Sequence, residues 1–200
     1  GLTFRGAVIQ IDGNADFNVY SNNTFYAYTK GDVGRFNLQG TYNTFRDNEV
    51  SQVWGSVVSI GGTRNQLVNN YLHDIGYNGT SRVITMSGEE HLFSHNTWIG
   101  EAPIGNVNSA DLAVESSYNN NLQVSLDDAA SIGVDFRGNV DYQTSDFVNF
   151  GADDYRLAAG SAAIDAGIVL PEVNDGHAGA APDAGALEYG ETMWAVGHNF

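Results

Sequence analysis

The chain has 200 residues, 42% of them apolar, enough for a continuous core in one large domain or two small ones. Its 24 acidic residues against 8 basic ones give a net charge of −16, which argues against nucleic acid or an anionic membrane as a partner. There are no cysteines, so disulfides, thiolate metal sites and cysteine nucleophiles are removed together.

No apolar run approaches the roughly 18 residues of a membrane span, so membrane insertion is not expected. The opening GLTFRGAVIQ lacks the basic-then-apolar pattern of a signal peptide, so export would require that a signal has been removed. Glycine is frequent, lysine occurs once, at Lys30, and no window keeps a 3.6-residue apolar period. Helix is therefore expected to be minor.

Taken in chain order, six strand-like phrases end in glycine or serine: VIQIDG from Val8, RFNLQG from Arg35, VVSIGG from Val57, VITMSG from Val83, DLAVES from Asp111 and GVDFRG from Gly133. Their last apolar residues are Ile11, Leu38, Ile60, Met86, Val114 and Phe136, spaced by 27, 22, 26, 28 and 22. A second phrase follows each of the first four, an asparagine (once a histidine), an apolar residue two later, an asparagine five later and an apolar residue seven later. It runs from Asn18 to Phe25, Asn43 to Val50, Asn65 to Leu72 and His91 to Trp98, with a degenerate fifth copy through Tyr118–Leu122.

A leucine-rich repeat has a similar period but needs leucine-rich strands and a helical return, and here both halves alternate like strands. The pattern predicts a parallel β-helix, each repeat one coil, each strand paired with its counterpart one coil away. Alternation points Ile9 and Ile11, Phe36 and Leu38, Val58 and Ile60, Ile84 and Met86, Leu112 and Val114, and Val134 and Phe136 inward. Asn23, Asn48, Asn70, Asn96 and Asn120 are expected to form a structural column at a turn, because stacked amides bond along the column and asparagine tolerates a left-handed corner. His91, in place of an asparagine, is read as structural, and Trp98 as core.

These repeats resemble the right-handed parallel β-helix superfamily of pectate lyases, other polysaccharide lyases, several glycoside hydrolases and surface proteins, over residues 1–141. The tail resembles a segment that closes many secreted bacterial β-helix proteins: Asp154-Tyr-Arg-Leu-Ala-Ala-Gly-Ser-Ala-Ala-Ile-Asp-Ala-Gly167, then Pro182-Asp-Ala-Gly-Ala-Leu-Glu-Tyr189. Ala162 stands where that pattern has proline, and Ala184 where it has a larger aliphatic. The expected fold is all-β, a right-handed parallel β-helix over 1–141 with an irregular C-terminal terminating coil and cap over 142–200. Such a cap would cover backbone and apolar groups that an open coil exposes. The first residues read as the middle of a coil, so a missing N-terminal portion of the same protein is an expected partner of Val8–Asp12.

The resemblance implies a polysaccharide partner, secretion or a cell-surface or periplasmic location, and a substrate lying along one outward strand face. Asn37 and Gln39 are outward on the second coil and are candidate substrate contacts, with Tyr28 and Trp54 in the preceding loops as surfaces for sugar rings. Uronate elimination needs a cation beside the sugar carboxylate, a base, and a donor to the leaving oxygen. Lys30, Arg35, His73, Tyr77 and Arg82 supply those types on adjacent coils, although His73-Asp74 also reads as a plain surface turn pair. For hydrolysis, Asp135 falls diagonally from Asp111 and Glu115 at a separation of roughly 8 Å, whereas Glu115 opposite Arg137 reads as an ion pair. The doublets Asp127-Asp128 and Asp153-Asp154 read as turns.

Calcium is the one cofactor the composition admits, since oxygen ligands are plentiful, but no EF-hand spacing or HExxH pattern occurs and no metal-ligand set is assigned. The functional expectation is a polysaccharide lyase or glycoside hydrolase. Its alternative is a non-catalytic carbohydrate-binding or cell-surface module.

Overall fold

The computed structural model describes residues 3–5, 8–11, 15–26, 35–53, 58–75, 84–100, 117–119, 121–123, 135 and 137–192. The strands in chain order are β1 (Thr3–Arg5), β2 (Val8–Ile11), β3 (Val19–Ser21), β4 (Thr24–Tyr26), β5 (Arg35–Leu38), β6 (Thr44–Arg46), β7 (Glu49–Val53), β8 (Val58–Ile60) and β9 (Gln66–Val68). They continue as β10 (Tyr71–Ile75), β11 (Ile84–Met86), β12 (Leu92–Ser94), β13 (Thr97–Gly100), β14 (Ser117–Asn119), β15 (Leu122–Gln123), β16 (Val140–Asp141), β17 (Phe147–Asn149) and β18 (Asp154–Leu157).

Sheet A runs β1-β4-β7-β10-β13-β15-β16, sheet B β11-β8-β5-β2, and sheet C β14-β12-β9-β6-β3, every pair parallel. The chain passes B, C, A and then B again one layer on, which is a right-handed parallel β-helix. The predicted register of sheet B is present: Ile9 pairs with Phe36, then Val58 and Ile84, and Ile11 with Leu38, Ile60 and Met86. The expected columns at Leu112 and Val114, and at Val134 and Phe136, lie outside the described residues.

The asparagine phrase is the hinge of every coil. Its apolar members form stacked inner columns, Phe45, Leu67 and Phe93 in sheet C and Phe25, Val50, Leu72 and Trp98 in sheet A, all buried. Its second asparagine makes a ladder at the turn between sheets C and A. Asn23, Asn48, Asn70, Asn96 and Asn121 each send their backbone N–H and side-chain amide to the Oδ1 one coil on, at 2.9–3.2 Å, ending on Asn139. The register therefore places Asn121, not Asn120, in this ladder, because Leu122 pairs with Thr97.

A second ladder at the B-to-C corner joins Asn18, Asn43, Asn65 and His91. His91 Nδ1 accepts the Asn65 N–H, and its Nε2 faces the Ser87 carbonyl at 2.9 Å, as Asn65 Nδ2 faces Gly61 O. Burial lowers its pKa, and the neutral Nε2–H tautomer reproduces an asparagine's donor and acceptor.

The left-handed backbone sits one residue earlier than expected. The residues before the ladder positions, Asn22, Asp47, Asn69 and His95 at one corner and Phe17, Tyr42, Arg64 and Glu90 at the other, have φ between 53° and 59°. The ladder residues need no strained φ because their side chains replace the strand hydrogen bonds that the corner interrupts.

From about residue 142 the chain turns back along the outer face of sheet A. Tyr71, Ile99 and Leu122, at outward positions of three successive coils, are buried with Phe147, Tyr155, Leu157, Ala163 and Ala184. β17 and β18 pair antiparallel. The rest is irregular and is held by carboxylates: Asp165 Oδ1 accepts from Ala180 and Ala181, and Asp183 accepts from Asp165 and Tyr189. Ala186 N–H reaches Thr97 Oγ1 at 2.9 Å, and Asn174 Nδ2 reaches His95 Nε2 at 2.8 Å. Among the described residues there is no α-helix.

Candidate functional site

Two regions of the outer surface carry chemically capable side chains, and they lie on different sheets. The first is on sheet A. Glu49 opens β7 and Tyr71 opens β10 directly beside it, each one residue after a ladder asparagine and so directed outward. His73, two residues on, shares that face. It lies within β10 rather than in the loop expected from the sequence. Asp74 then takes a left-handed φ of 53°, as Gln52 does at the equivalent point of β7, and this interrupts strand alternation.

The outcome is an imidazole between two carboxylates. His73 Nε2 is 3.0 Å from Glu49 Oε1, and Nδ1 is 3.1 Å from Asp74 Oδ2. Its side chain is only 12% exposed. Burial alone would lower the pKa, but the hydrogen bonds and charges of Glu49 and Asp74 outweigh it and leave the ring raised above an ordinary histidine. Tyr155 from the returning segment packs on both Tyr71 and His73, at 5.5 and 5.7 Å between ring centroids, and donates its hydroxyl to Asp153 Oδ1 at 2.8 Å. Burial first, and then the surrounding negative charge, push both tyrosine hydroxyls up, so they stay protonated. The arrangement can store and exchange a proton at His73. It is far richer in carboxylate than a site for an acidic sugar would be.

The second region is the outer face of sheet B. Asn37 on β5 and Gln39 just past its end are there, and Gln39 Nε2 donates to Asn37 Oδ1 at 2.6 Å. Gln39 lies flat over the next coil, since a side chain at Gly61 would strike its amide. Arg35 begins β5 on the same sheet, with its side chain outside the described residues. Tyr28, Lys30, Trp54, Tyr77 and Arg82 also lie outside them. In sequence they belong to the connections 27–34, 54–57 and 76–83, all of which leave a sheet A strand and enter a sheet B strand. The structure thus separates His73 from Asn37 and Gln39.

Charge is distributed unevenly between these regions. Arg46, Arg64, Arg137 and Arg156 each meet a carboxylate, on Asp47, Glu90, Asp135 and Asp154 respectively. The other four basic residues are Arg5, Lys30, Arg35 and Arg82. Arg137 pairs with Asp135, through Nε and Nη2 at 2.6 and 2.5 Å, while its expected partner Glu115 lies outside the described residues. Asp135 also accepts from Asn119, and the hydrogen bond from Arg137, with that from Asn119, lowers its pKa and keeps it ionised. Asp111 and Glu115, like Asp127 and Asp128, lie outside the described residues. Among the described residues no group of three or more histidine or acidic side chains is arranged to hold a metal ion.

Sequence reasoning gave no functional role to Glu49 or Tyr155 and read Asp153 only as part of a turn. Glu49 carried a usable signal, because the residue after each ladder asparagine is outward and neighbours its counterpart on the next coil. Asp153 and Tyr155 carried none, since nothing periodic links the tail to sheet A.

No family model matches the chain, and no curated protein matches it. Among solved structures it is similar to pectate lyase Pel9A, with a TM-score of 0.61 at 15% identity over 94% of this chain. The match covers 64% of the Pel9A chain, so this chain spans a little under two thirds of that protein. At this identity the likeness is one of fold.

Proposed function

We propose that the chain is part of a secreted polysaccharide-active protein whose polymer lies along the outer face of sheet B. The observation that carries this reading is the partition of cations. In a chain of charge −16 every described arginine side chain is engaged by a carboxylate, and of the four remaining basic residues three, Lys30, Arg35 and Arg82, stand beside or within the connections into sheet B, the fourth being Arg5 on β1. The outer face of sheet A from β10 to β15 is covered by the protein's own C-terminal segment, which leaves that part no room for a polymer. The similarity to a pectate lyase fold is consistent with this choice.

The chemistry that fits is β-elimination from a uronate. Arg35 and Arg82 neutralise the carboxylate and acidify the neighbouring C–H, Lys30 removes that proton, and Tyr77 protonates the departing glycosidic oxygen. Asn37 and Gln39 bind hydroxyls, and Tyr28 and Trp54 pack on sugar faces. His73, on the other sheet, takes no part.

The test is incubation with a panel of uronate polysaccharides, following both the ultraviolet absorbance of the unsaturated product and the release of reducing ends. Elimination that is lost in Lys30→Ala and Arg35→Ala but kept in Asp135→Asn supports the proposal. Reducing ends without the unsaturated product indicate hydrolysis instead, and binding without cleavage indicates a carbohydrate-binding module.

A further inference from the structure

Where the C-terminal segment crosses the end of β10 it does not close tightly. A cavity of about 310 Å³ remains between the end of sheet A and the turn that joins β17 to β18. Tyr142, Phe150 and Tyr155 line it as aromatic walls, Asp74 and Asp153 supply its carboxylates, and Gly151 lies at its exposed edge. Phe150 stands edge-on to Tyr155 at 5.4 Å and 76°, and is tilted by 37° to Tyr142 at 5.9 Å, so the walls meet at angles instead of stacking shut. Apolar walls with a few converging polar groups, at the small end of the ligand-pocket range of about 300–1,000 Å³, describe a site for one small molecule.

The polar groups define its class. Among the described residues no lysine or arginine lines the cavity, and Glu49 stands just behind His73, so these groups repel an anionic sugar. A bare cation is also poorly served, because Asp74 already holds His73 and Asp153 already holds the Tyr155 hydroxyl. Carboxylates that keep a donor of their own retain acceptor capacity for hydroxyl groups. We propose that this cavity binds one neutral sugar unit, its apolar face against Tyr142 and Phe150 and its hydroxyls on Asp153 and Asp74. The site is independent of the proposed sheet B face and selects neutral instead of acidic sugars.

Gly151 provides the test. A side chain built there meets nothing within 4 Å, and its backbone is not left-handed, so a large residue is tolerated while standing across the opening. Saturation-transfer NMR on the full chain would use methyl glycosides of neutral hexoses, with methyl uronides and tetramethylammonium as alternative probes. The expected result is transfer to a neutral glycoside, weaker by about tenfold or more for its uronide. That transfer is lost in Gly151→Trp, kept in Gly151→Ala and Arg35→Ala, and reduced in Asp153→Asn, which retains the left-handed turn. Absence of transfer from every neutral glycoside, equal transfer in a folded Gly151→Trp, or preference for tetramethylammonium overturns the proposal. None of these outcomes depends on cleavage at sheet B.

Discussion

Asn70 accepts two hydrogen bonds from Asn48 and shares its own amide hydrogens among Phe45 O, Val68 O and Asn96 Oδ1, all with its side chain buried. Asn70→Ala strands several of these groups at once, each worth about 1–3 kcal/mol when left unpaired. Urea unfolding should therefore show a loss of about 3 kcal/mol or more. His91→Asn, by contrast, exchanges one donor–acceptor pair for another and should change stability by less than about 1 kcal/mol. Two other histidines contribute to the pH response. His95 is buried against the tail, and desolvation pushes it down to about 4, so between about 4 and its unfolded value of 6.5 the unfolded chain binds the extra proton. Stability from this residue is present above pH 6.5 and is lost on acidification, by on the order of 3 kcal/mol. His73 is raised, so its contribution is full below 6.5 and fades as pH rises through its folded value. Unfolding measured at pH 4.5 and 7.5 should be far less pH-dependent across that interval in His95→Asn, which fits the same left-handed corner.

At the level of elements, the B-to-C corner is a column of Gly40, Gly62 and Gly88, each so near the preceding coil that a Cβ would overlap a backbone carbonyl: Ala15, Gly40 and Gly62 respectively. Gly62 and Gly88 also have φ of 76° and 95°. Gly88→Ala should cost about 1–3 kcal/mol by thermal unfolding, because the obstructing atom is backbone and cannot turn aside. The register of the coils was legible: two-residue alternation fixed the faces, the strand phrases fixed the register of sheet B, and the asparagine phrase fixed that of sheets C and A, without any long-range information. The left-handed residue was misplaced because asparagine's tolerance of that conformation was weighed above its capacity to bond along the ladder. The return of the tail over sheet A was not legible. It is made by pairs such as His95 with Asn174 and Thr97 with Ala186, far apart in sequence and outside any period. The trace it left was apolar residues at outward positions, Tyr71, Ile99 and Leu122, which a solvated face would not carry.

For the molecule as a whole, the charge of −16 and an acidic polymer repel each other at long range, while contact is made through a few cations. Screening removes the distant repulsion before it weakens close pairs. Association with a polyuronate should therefore quicken as ionic strength rises from about 0.01 to 0.15 M, over which the Debye length falls from about 30 to 8 Å. Stopped-flow measurement would show this, and a rate that instead falls steadily with salt would mean that a cationic surface dominates the encounter.

The two ladders have one more implication, for how such a chain can change. From Leu38 to Asn43 to Asn48, from Ile60 to Asn65 to Asn70, and from Met86 to His91 to Asn96 the steps are always five residues. From Asn23 to Leu38, Asn48 to Ile60 and Asn70 to Met86 they are 15, 12 and 16. Across these three coils the variation in length is confined to the passage from sheet A to sheet B, where Lys30, Trp54, Tyr77 and Arg82 are found, although the first coil also takes seven residues from Ile11 to Asn18. Insertions, deletions and grafted segments can accumulate there without disturbing a single rung, so a new specificity can be acquired by exchanging connections on an unaltered frame.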